Sequence, residues 1–413
     1  NWKRSFYTIW IGQAFSQLSS SILQFAIVWY LTDQTGSGLV LTMAMLMGFL
    51  PQGLLGPFVG VYIDRWNRKR IMIGADLGIA AVSMLLVFGN ADRPLPVGLV
   101  LLVLFFRAIG TAFHTPTLAA VTPQLVPSEE LTRCAGYSQS LESISMILSP
   151  ALAAILYARW SLGTIVLLDV AGAAIAAAMV MLVSIPPHKG MENTQPVHML
   201  REIREGMAII AQKKGILGLV SVTAIYTIAL MPISALFPLM SMGHFGGTST
   251  EAGIVEVSFS IGFLCGSLVL GKWGGTSNKI YTIFGSYVAM SAALLVSSLL
   301  PPSGFVIFVA MSALMGITGP FYWGMYTPLL QKSFPEEYLG RVLSLTASLR
   351  LILGPLALAV SGVVTDVFGV TVWFLVAGIL VLIAAAILMA VPVIRSSGIV
   401  TSAKSHSKPD SFV

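Results

Sequence analysis

The chain has 413 residues, of which 56% are hydrophobic and only 10% are charged, and its mean hydropathy is +0.87. Soluble domains carry roughly 25% charged residues, so this composition excludes a soluble globular protein and indicates an integral membrane protein. The net charge of +6 forms no basic patch with interleaved aromatic side chains, so nucleic-acid binding is not expected, and Cys134 and Cys265 are interpreted as small packing residues.

Twelve apolar runs long enough to span a bilayer follow one another along the chain. They lie near residues 6–32, 38–63, 71–89, 97–119, 133–158, 161–184, 215–240, 250–271, 280–300, 303–331, 341–367 and 370–393. The first run has about 26 mostly apolar residues, which is too long for the core of a secretory signal peptide. Because the sequence does not begin with Met, we expect a few residues to precede Asn1.

The link between the second and third runs sets the orientation of the chain. It contains four cations in six residues, namely Arg65, Arg68, Lys69 and Arg70. Each cation would cost ~2.5–3.5 kcal/mol at mid-membrane, so the link is predicted to stay in the cytoplasm. Of the 23 Lys and Arg residues, all but four then fall in cytoplasmic segments, which supports an even number of spans with both termini in the cytoplasm.

A polar linker divides the spans into two sets of six. The sixth run ends at Pro186-Pro187, and a predicted interfacial helix follows, whose apolar face comprises Leu200, Ile203, Met207 and Ile210. The Ser- and Lys-rich C-terminus is expected to be disordered. The predicted domains are a six-helix bundle at 1–185, a cytoplasmic linker at 186–214, a second bundle at 215–395 and a cytoplasmic tail at 396–413.

The two sets of spans repeat each other in sequence. Residues 127–133 (PSEELTR) match residues 335–341 (PEEYLGR) at an offset of 208, and the same offset pairs Ser140-Leu141 with Ser348-Leu349. Helices 5 and 11 therefore begin alike, six helices apart. A parallel duplication of six helices is the arrangement of facilitator-type transporters.

The segment from Gly60 to Arg70 resembles a motif of the major facilitator superfamily. The pattern Gly60-x-x-x-Asp64-Arg65-x-x-Arg68-Lys69 lies between two apolar helices, as it does between helices 2 and 3 of these transporters. The resemblance implies an all-α membrane protein with twelve transmembrane helices in two pseudo-symmetric six-helix bundles, and it assigns the motif to gating of the cytoplasmic side. Asp64 would meet the positive N-terminal end of helix 11, an interaction of ~0.3–2 kcal/mol. A plain positive-inside anchor is the alternative reading of these charges.

Longer strings resemble the bacterial macrolide-efflux (Mef-type) transporters. They are NWKRSFY (1–7), LTDQTGS (31–37), GFLP (48–51), RIMIGAD (70–76), IGTAFHTP (109–116), CAGYSQS (134–140) and ALFP (235–238). The resemblance implies an exporter in the bacterial cytoplasmic membrane that expels 14- or 15-membered macrolides, and we expect it to be a monomer. It also implies that the proton gradient, rather than a cofactor, supplies the energy.

Charged residues inside predicted helices are the candidates for proton coupling, because an ionisable group at that depth is a functional candidate by default. Glu142 lies well inside helix 5, Arg350 occupies the 208-offset position in helix 11, and Arg107 resembles the helix-4 arginine of proton-coupled exporters. Either Glu142 changes partner between states and so binds and releases a proton, or Glu142 and Arg350 form a permanent structural pair. The remaining carboxylates in the spans are interpreted as packing or interfacial groups, with the last two held as reserve proton sites: Asp76, Asp169 and Glu256.

Polar and aromatic side chains on three helices predict a substrate cavity. Gln13, Gln17, Ser20 and Gln24 lie within about 60° of one face of helix 1, and such a stripe faces protein or water rather than lipid. In the superfamily, helices 1, 4, 7 and 10 line the central cavity. The predicted aromatic walls of that cavity are Tyr226 and Phe237 on helix 7 and Tyr322, Trp323 and Tyr326 on helix 10.

Two weaker patterns predict no further site. GSLVLGKW (266–273) imitates a phosphate-binding loop, but Trp273 replaces the required Ser or Thr. His114 has no second ligand in its motif, so no metal site is expected.

The alternative functions are an uptake carrier or a lysophospholipid or metabolite transporter of the same superfamily. A channel would need a continuous polar pore, and this sequence has few polar positions that could form one. A receptor would show a larger soluble domain, which this sequence does not contain.

Overall fold

A computed structural model describes residues 2–89, 94–127, 130–185, 207–334 and 336–398. The described residues fold into helices, which confirms the predicted all-α membrane fold. Most of the linker and most of the tail predicted from the sequence lie outside these ranges. The described chain resumes after the linker with a helical turn at 207–211.

Within the described ranges, twelve long helices follow one another, and their order matches the predicted spans. In the first half, α1 is Trp2–Thr35, α2 is Gly38–Arg65, α3 is Arg68–Phe88, α4 is Val97–Leu125, α5 is Leu131–Tyr157 and α6 is Leu162–Leu182. In the second half, α7 is Lys214–Pro238, α8 is Ser249–Trp273, α9 is Lys279–Leu299, α10 is Phe305–Ser333, α11 is Glu336–Phe368 and α12 is Val370–Ala390. A π-helical turn at Leu239–His244 extends α7, a 3-10 turn at Pro302–Gly304 precedes α10, and a short α13 at Pro392–Ser396 ends the described chain.

Nine of the described helices are long and apolar enough to cross a membrane on their own. Two others, α5 and α11, contain shorter apolar segments at Leu141–Tyr157 and Ile352–Phe368. The remaining helix, α1, has 34 residues, but glutamine and serine side chains interrupt its apolar surface. Large apolar side chains such as Leu182, Leu299 and Val306 are exposed on the outer faces of the bundle, as expected of surfaces that contact lipid.

Each half is built from helices that pack mainly against members of the same half. In the first half α6 packs on α1 and α3, and α4 packs on α2 and α3; in the second half α10 packs on α8 and α9, and α12 packs on α7 and α9. The halves meet mainly through two pairs of helices, α2 with α11 and α5 with α8, with smaller contacts from α7 to α1 and α2. This equivalence of contacts agrees with the duplication seen in the sequence.

Polar side chains and glycines define several helix ends. Asn67 caps α3 by accepting a hydrogen bond from the Arg70 backbone N–H at 3.2 Å. Thr248 and Glu251 form a capping box at the start of α8. Gly36, with φ of 55°, turns the chain from α1 into α2 in the left-handed region that favours glycine.

The two halves contact each other at the end of the molecule that the sequence places outside, here called the outer end. Ser37 Oγ donates a hydrogen bond to Asp366 Oδ2 at 2.7 Å, and the Leu39 backbone N–H donates to Asp366 Oδ1 at 3.2 Å. Gly362 lies so close to α2 that a Cβ added there would be 2.3 Å from Thr42 Oγ1. At the middle of the bundle, Ser260 Oγ of α8 donates to the Met146 carbonyl of α5 at 2.9 Å.

Candidate functional site

An apolar cavity of about 540 Å³ lies between α2 and the helices of the second half. Aromatic and sulfur-containing side chains dominate its walls, and Phe49, Leu50 and Leu54 of α2 close it from the first half. The residues of the second half that line it include Tyr226, Met231, Phe237, Glu256, Phe259, Phe263, Met290, Met315 and Trp323. A mainly apolar cavity with few polar groups is typical of a site for a lipophilic small molecule.

A cluster of tyrosines forms the wall behind Tyr226. The Tyr226 and Tyr287 rings stack with centroids 4.4 Å apart and planes 7° apart, and the Tyr226 and Tyr322 centroids are 4.7 Å apart. Tyr322 and Tyr326 are only 0% and 2% exposed, and their ring centroids are 5.5 Å apart. Thus three of the five predicted aromatic residues, Tyr226, Phe237 and Trp323, line the cavity, while Tyr322 and Tyr326 support it from behind.

A second cavity, of about 530 Å³, lies within the first half and is much more polar. The predicted polar face of α1 lines it, with Gln13, Gln17, Ser20 and Gln24 in its wall. The ionisable residues in the same wall are Asp76, Arg107, His114 and Glu142. The structure therefore brings the predicted glutamines together with two of the three residues predicted for proton coupling.

Arg107 and Asp169 form a buried ion pair beside this polar cavity. Arg107 Nη1 lies 2.5 Å from Asp169 Oδ2 and also donates a hydrogen bond to Ser83 Oγ. Ser20 Oγ of α1 donates to the other oxygen, Asp169 Oδ1, at 2.6 Å. Arg107 is 7% exposed and Asp169 is 0% exposed, so the pair is buried where α1, α3, α4 and α6 meet, at the wall of the polar cavity.

A second polar contact connects α1, α3 and α4. Gln13 Nε2 donates to Asp76 Oδ2 at 3.3 Å, and His114 Nε2 lies 3.4 Å from Asp76 Oδ1. Asp76 is buried, so these two side chains offset part of the cost of its burial. Among the described residues, no group of three or more His, Cys, Asp or Glu side chains has the geometry to hold a metal ion.

The predicted pair of Glu142 and Arg350 falls partly outside the described structure. Glu142 is exposed and lines the polar cavity. The side chain of Arg350 lies outside the described part of the chain, so neither the switching arrangement nor the permanent pair is tested.

The charged link between α2 and α3 is fixed by hydrogen bonds to the ends of other helices. Arg68 is buried, and its Nη1 donates to the Ala120 carbonyl of α4 at 3.0 Å. Lys69 Nζ donates to the carbonyls of Met181 and Val183 at the C-terminal end of α6, both at 2.8 Å. Gly60, Asp64 and Arg65 lie in the last turns of α2, and their side chains are outside the described residues, so their predicted gating contacts are untested.

The family of the chain follows from comparison with known proteins. The model of the family described as transmembrane secretion effector matches residues 2–411. Macrolide efflux protein A of Streptococcus pyogenes is 50% identical over 382 residues, which cover 92% of this chain and 94% of that protein. Macrolide efflux protein A of Enterococcus faecalis is also 50% identical, over 78% of this chain and 100% of that protein.

Solved structures of transporters share the fold. A bacterial homologue of the iron transporter ferroportin has a TM-score of 0.74 at 14% identity, with 94% of this chain and 98% of that chain covered. The nucleoside transporter NupG has a TM-score of 0.73 at 13% identity, with 94% of this chain and 99% of that chain covered.

The family model and the two macrolide efflux relatives show that the chain belongs to the transmembrane secretion effector family of the major facilitator superfamily. It is a multi-pass membrane transporter, and its predicted resemblance to macrolide-efflux transporters is confirmed.

Proposed function

We propose that this member of the transmembrane secretion effector family exports macrolide antibiotics, or related lipophilic drugs, across the bacterial cytoplasmic membrane in exchange for protons. The observation that supports this most is the 50% identity to two proteins named macrolide efflux protein A. The two cavities add a physical reason, because one suits an apolar drug and the other contains buried ionisable groups.

The apolar cavity is the proposed drug site. Its aromatic walls offer large contact areas at a low cost in conformational entropy, and the methionines Met231, Met290 and Met315 adapt to an irregular ligand. Few hydrogen-bonding groups are present, so affinity would come mostly from removing apolar surface from water. The glutamines of α1 would contact polar groups of a drug that enters through the polar cavity.

The Arg107 and Asp169 pair is the proposed link between proton binding and conformation. Both carboxylate oxygens of Asp169 are engaged, one by Arg107 and one by Ser20. Protonation of Asp169 would cancel its attraction for Arg107 and release a contact that holds four helices together. Glu142 stays a second candidate, either as a group that changes partner between states or as a structural partner of Arg350.

Alternating access follows from rocking of the two halves around these cavities. The halves meet at the outer end through Ser37, Leu39 and Asp366, so in this arrangement the cavities would be reached from the cytoplasmic side. The Gly60–Arg70 motif would stabilise the opposite state, with Asp64 at the positive N-terminal end of α11. Protons that enter from outside would favour the drug-releasing state and leave inside.

We propose that the protein works as a monomer, without a cofactor or metal, with both termini and the 186–214 linker in the cytoplasm. The six-helix bundles would then be 1–185 and 215–395, with the tail at 396–413 attached to the second. This orientation places the α2–α3 link on the side where positive charge is retained.

Drug efflux measured with and without a protonophore tests the proposed function. Cells that express the chain are loaded with a radiolabelled 14-membered macrolide, and an Asp33→Asn variant serves as a control because Asp33 bonds Tyr157 at the outer surface, away from both cavities. Both proteins should lower the retained macrolide, and the protonophore should abolish the difference from cells without the transporter. Efflux that persists with the protonophore would contradict proton coupling, and export of other compounds but no macrolide would point to a different substrate.

A further inference from the structure

Glu256 is a carboxylate in the wall of the apolar cavity, on the second turn of α8 and among aromatic side chains. Of the described residues that line this cavity, it is the only acidic or basic one. It has no hydrogen bond or ion pair with any part of the chain that the structure describes. The hydroxyl of Ser260, four residues along α8, already donates a hydrogen bond to the Met146 carbonyl of α5.

An unpaired carboxylate at this depth is costly to the folded protein. Ionisable side chains inside membrane-spanning helices ordinarily pair with each other or with backbone groups, as Arg107 and Asp169 do in the other half. The structural roles that explain other acidic residues of this chain do not apply, since Glu251 caps α8 and Asp366 joins the halves. No described residue supplies a partner for Glu256, and a ligand group that enters the cavity would supply one.

The chemistry of the cavity defines that ligand group. A carboxylate attracts a cation, and it accepts a short, charge-assisted hydrogen bond from a protonated amine. Tyr226, Phe259 and Trp323 line the same cavity, and aromatic rings attract cations through their quadrupoles. Phe49 and Leu54 of α2 add apolar lining to the cavity, which suits the body of the molecule.

We propose that Glu256 is the recognition site for the protonated amine of the transported molecule, so that the substrate class is the lipophilic amines. This inference rests on the proposed function, and it restricts the proposed substrates to molecules that carry a positive charge. The amine would lie against Glu256 while the apolar body fills the space between α2, α7 and α10. A neutral molecule of the same shape would leave the carboxylate unpaired and would bind weakly.

Equilibrium binding to the purified, detergent-solubilised full chain tests the proposal. The probes are a macrolide that contains a tertiary amine and the N-oxide of the same macrolide, which adds one oxygen and has no basic nitrogen. Wild-type protein should bind the amine roughly 10- to 100-fold more tightly than the N-oxide, as expected for a hydrogen bond between charged groups. The Glu256→Gln variant removes a costly charge, so it should fold, and it should bind both probes with equal, weak affinity.

The Glu251→Gln variant is the matched control, because it makes the same change on the same helix outside the cavity. Glutamine also completes a capping box, so this variant should keep the full preference for the amine. An unchanged preference in Glu256→Gln, or equal binding of both probes to wild-type protein, would overturn the inference while leaving macrolide export intact.

A second pair of probes separates this inference from the proposed function. If wild-type protein binds neither macrolide form, the macrolide substrate is wrong, and the same proteins are then tested with tetraphenylphosphonium and tetraphenylborate, which share one shape and differ in charge. Preference for the phosphonium cation that disappears in Glu256→Gln would still support a cation site. Equal binding of the two ions to wild-type protein would overturn it.

Discussion

Arg107 and Asp169 form the most deeply buried charged contact that the described residues contain between helices of the first half. Arg107 Nη1 and Asp169 Oδ2 are 2.5 Å apart, and Ser20 and Ser83 complete the contact with hydroxyl groups. The gain from such a pair is offset by the cost of removing both charges from water, so its contribution to net stability is small. Removal of one partner, in contrast, leaves a buried charge with nothing to neutralise it.

The Asp169→Asn variant should therefore be strongly destabilised. The cost of an uncompensated buried charge is ~3–5 kcal/mol, which should appear as a lower midpoint of thermal unfolding of the purified protein. Macrolide efflux in cells should be lost as well. A variant that unfolds at the wild-type temperature would show that the loss of Asp169 leaves no costly buried charge on Arg107.

A double variant separates stability from transport. Arg107→Met with Asp169→Leu replaces the pair by apolar groups of similar volume, a change that is often neutral or stabilising for folding. We expect the thermal stability of the double variant to return to near the wild-type value while proton-driven efflux stays absent. Recovery of efflux together with stability would show that the pair is only structural.

The residues of this contact were predictable only in part. Arg107 can be identified from its depth in helix 4 and its motif. Asp169 can be predicted only as a packing or interfacial group and a reserve proton site, because helical periodicity does not show which helices become neighbours. Tyr287, which stacks on Tyr226, was missed for the same reason, since it lies on α9, outside the helices expected to line the cavity. The glutamines of α1 are predictable because a polar stripe on a spanning helix is itself a visible pattern.

At the scale of helices, the packing of α11 against α2 closes the outer end. A Cβ at Gly362 would lie 2.3 Å from Thr42 Oγ1 and 2.8 Å from Leu39 Cα, so the two helices can meet this closely only if residue 362 is glycine. The neighbouring hydrogen bonds from Ser37 and Leu39 to Asp366 depend on the same approach.

The Gly362→Val variant should shift the protein toward a state that is open at the outer end. Overpacking costs about 1–3 kcal/mol, and 1.4 kcal/mol changes a two-state ratio tenfold. Spin labels at Arg159→Cys and Ser303→Cys, in a background with Cys134→Ser and Cys265→Ser, report the distance across the outer end. We expect double electron–electron resonance to give longer distances between the two labels in the Gly362→Val protein.

Gly285→Val is the control for this experiment. Nothing lies within 4 Å of a Cβ at Gly285 on α9, so this variant should leave the distance distribution unchanged. An unchanged distribution in Gly362→Val as well would mean that this helix contact does not limit opening.

The gating motif at the end of α2 leads to a separate prediction. Asp64→Asn removes a charge proposed to act on the N-terminal end of α11, an interaction of ~0.3–2 kcal/mol, which is enough to bias two states but too little to unfold the protein. The variant should reach the membrane at the wild-type level and show sharply reduced efflux, measured by immunoblot and drug retention. Full efflux by a correctly inserted variant would refute the gating role.

The helices themselves were predicted well, and their ends less so. Every apolar run became a helix, but α1 extends from Trp2 to Thr35 rather than 6–32, because polar residues can continue a helix beyond its apolar core. The π-helical turn at Leu239–His244 left no periodic signal. Arg68 and Lys69 belong to the motif predicted for gating, but their acceptors, the carbonyls of Ala120, Met181 and Val183, have no side-chain signature in the sequence.

At the scale of the whole molecule, the proposed topology places Trp66 inside and Arg159 outside. Both side chains are exposed, so each can be replaced by a single cysteine in the background without native cysteines. A membrane-impermeant maleimide should label Arg159→Cys in intact cells and Trp66→Cys only after permeabilisation. Labelling of Trp66→Cys in intact cells would reverse the orientation and with it the proposed direction of transport.

We propose that one duplicated helical bundle exchanges the drug for protons. The most direct test uses the purified protein in vesicles, with an imposed pH difference, a radiolabelled macrolide and an internal pH-sensitive dye. We expect the macrolide to accumulate against its concentration gradient and the pH difference to collapse faster when the drug is present. Uphill accumulation of the macrolide with the imposed pH difference undisturbed would rule out the exchange of drug for protons.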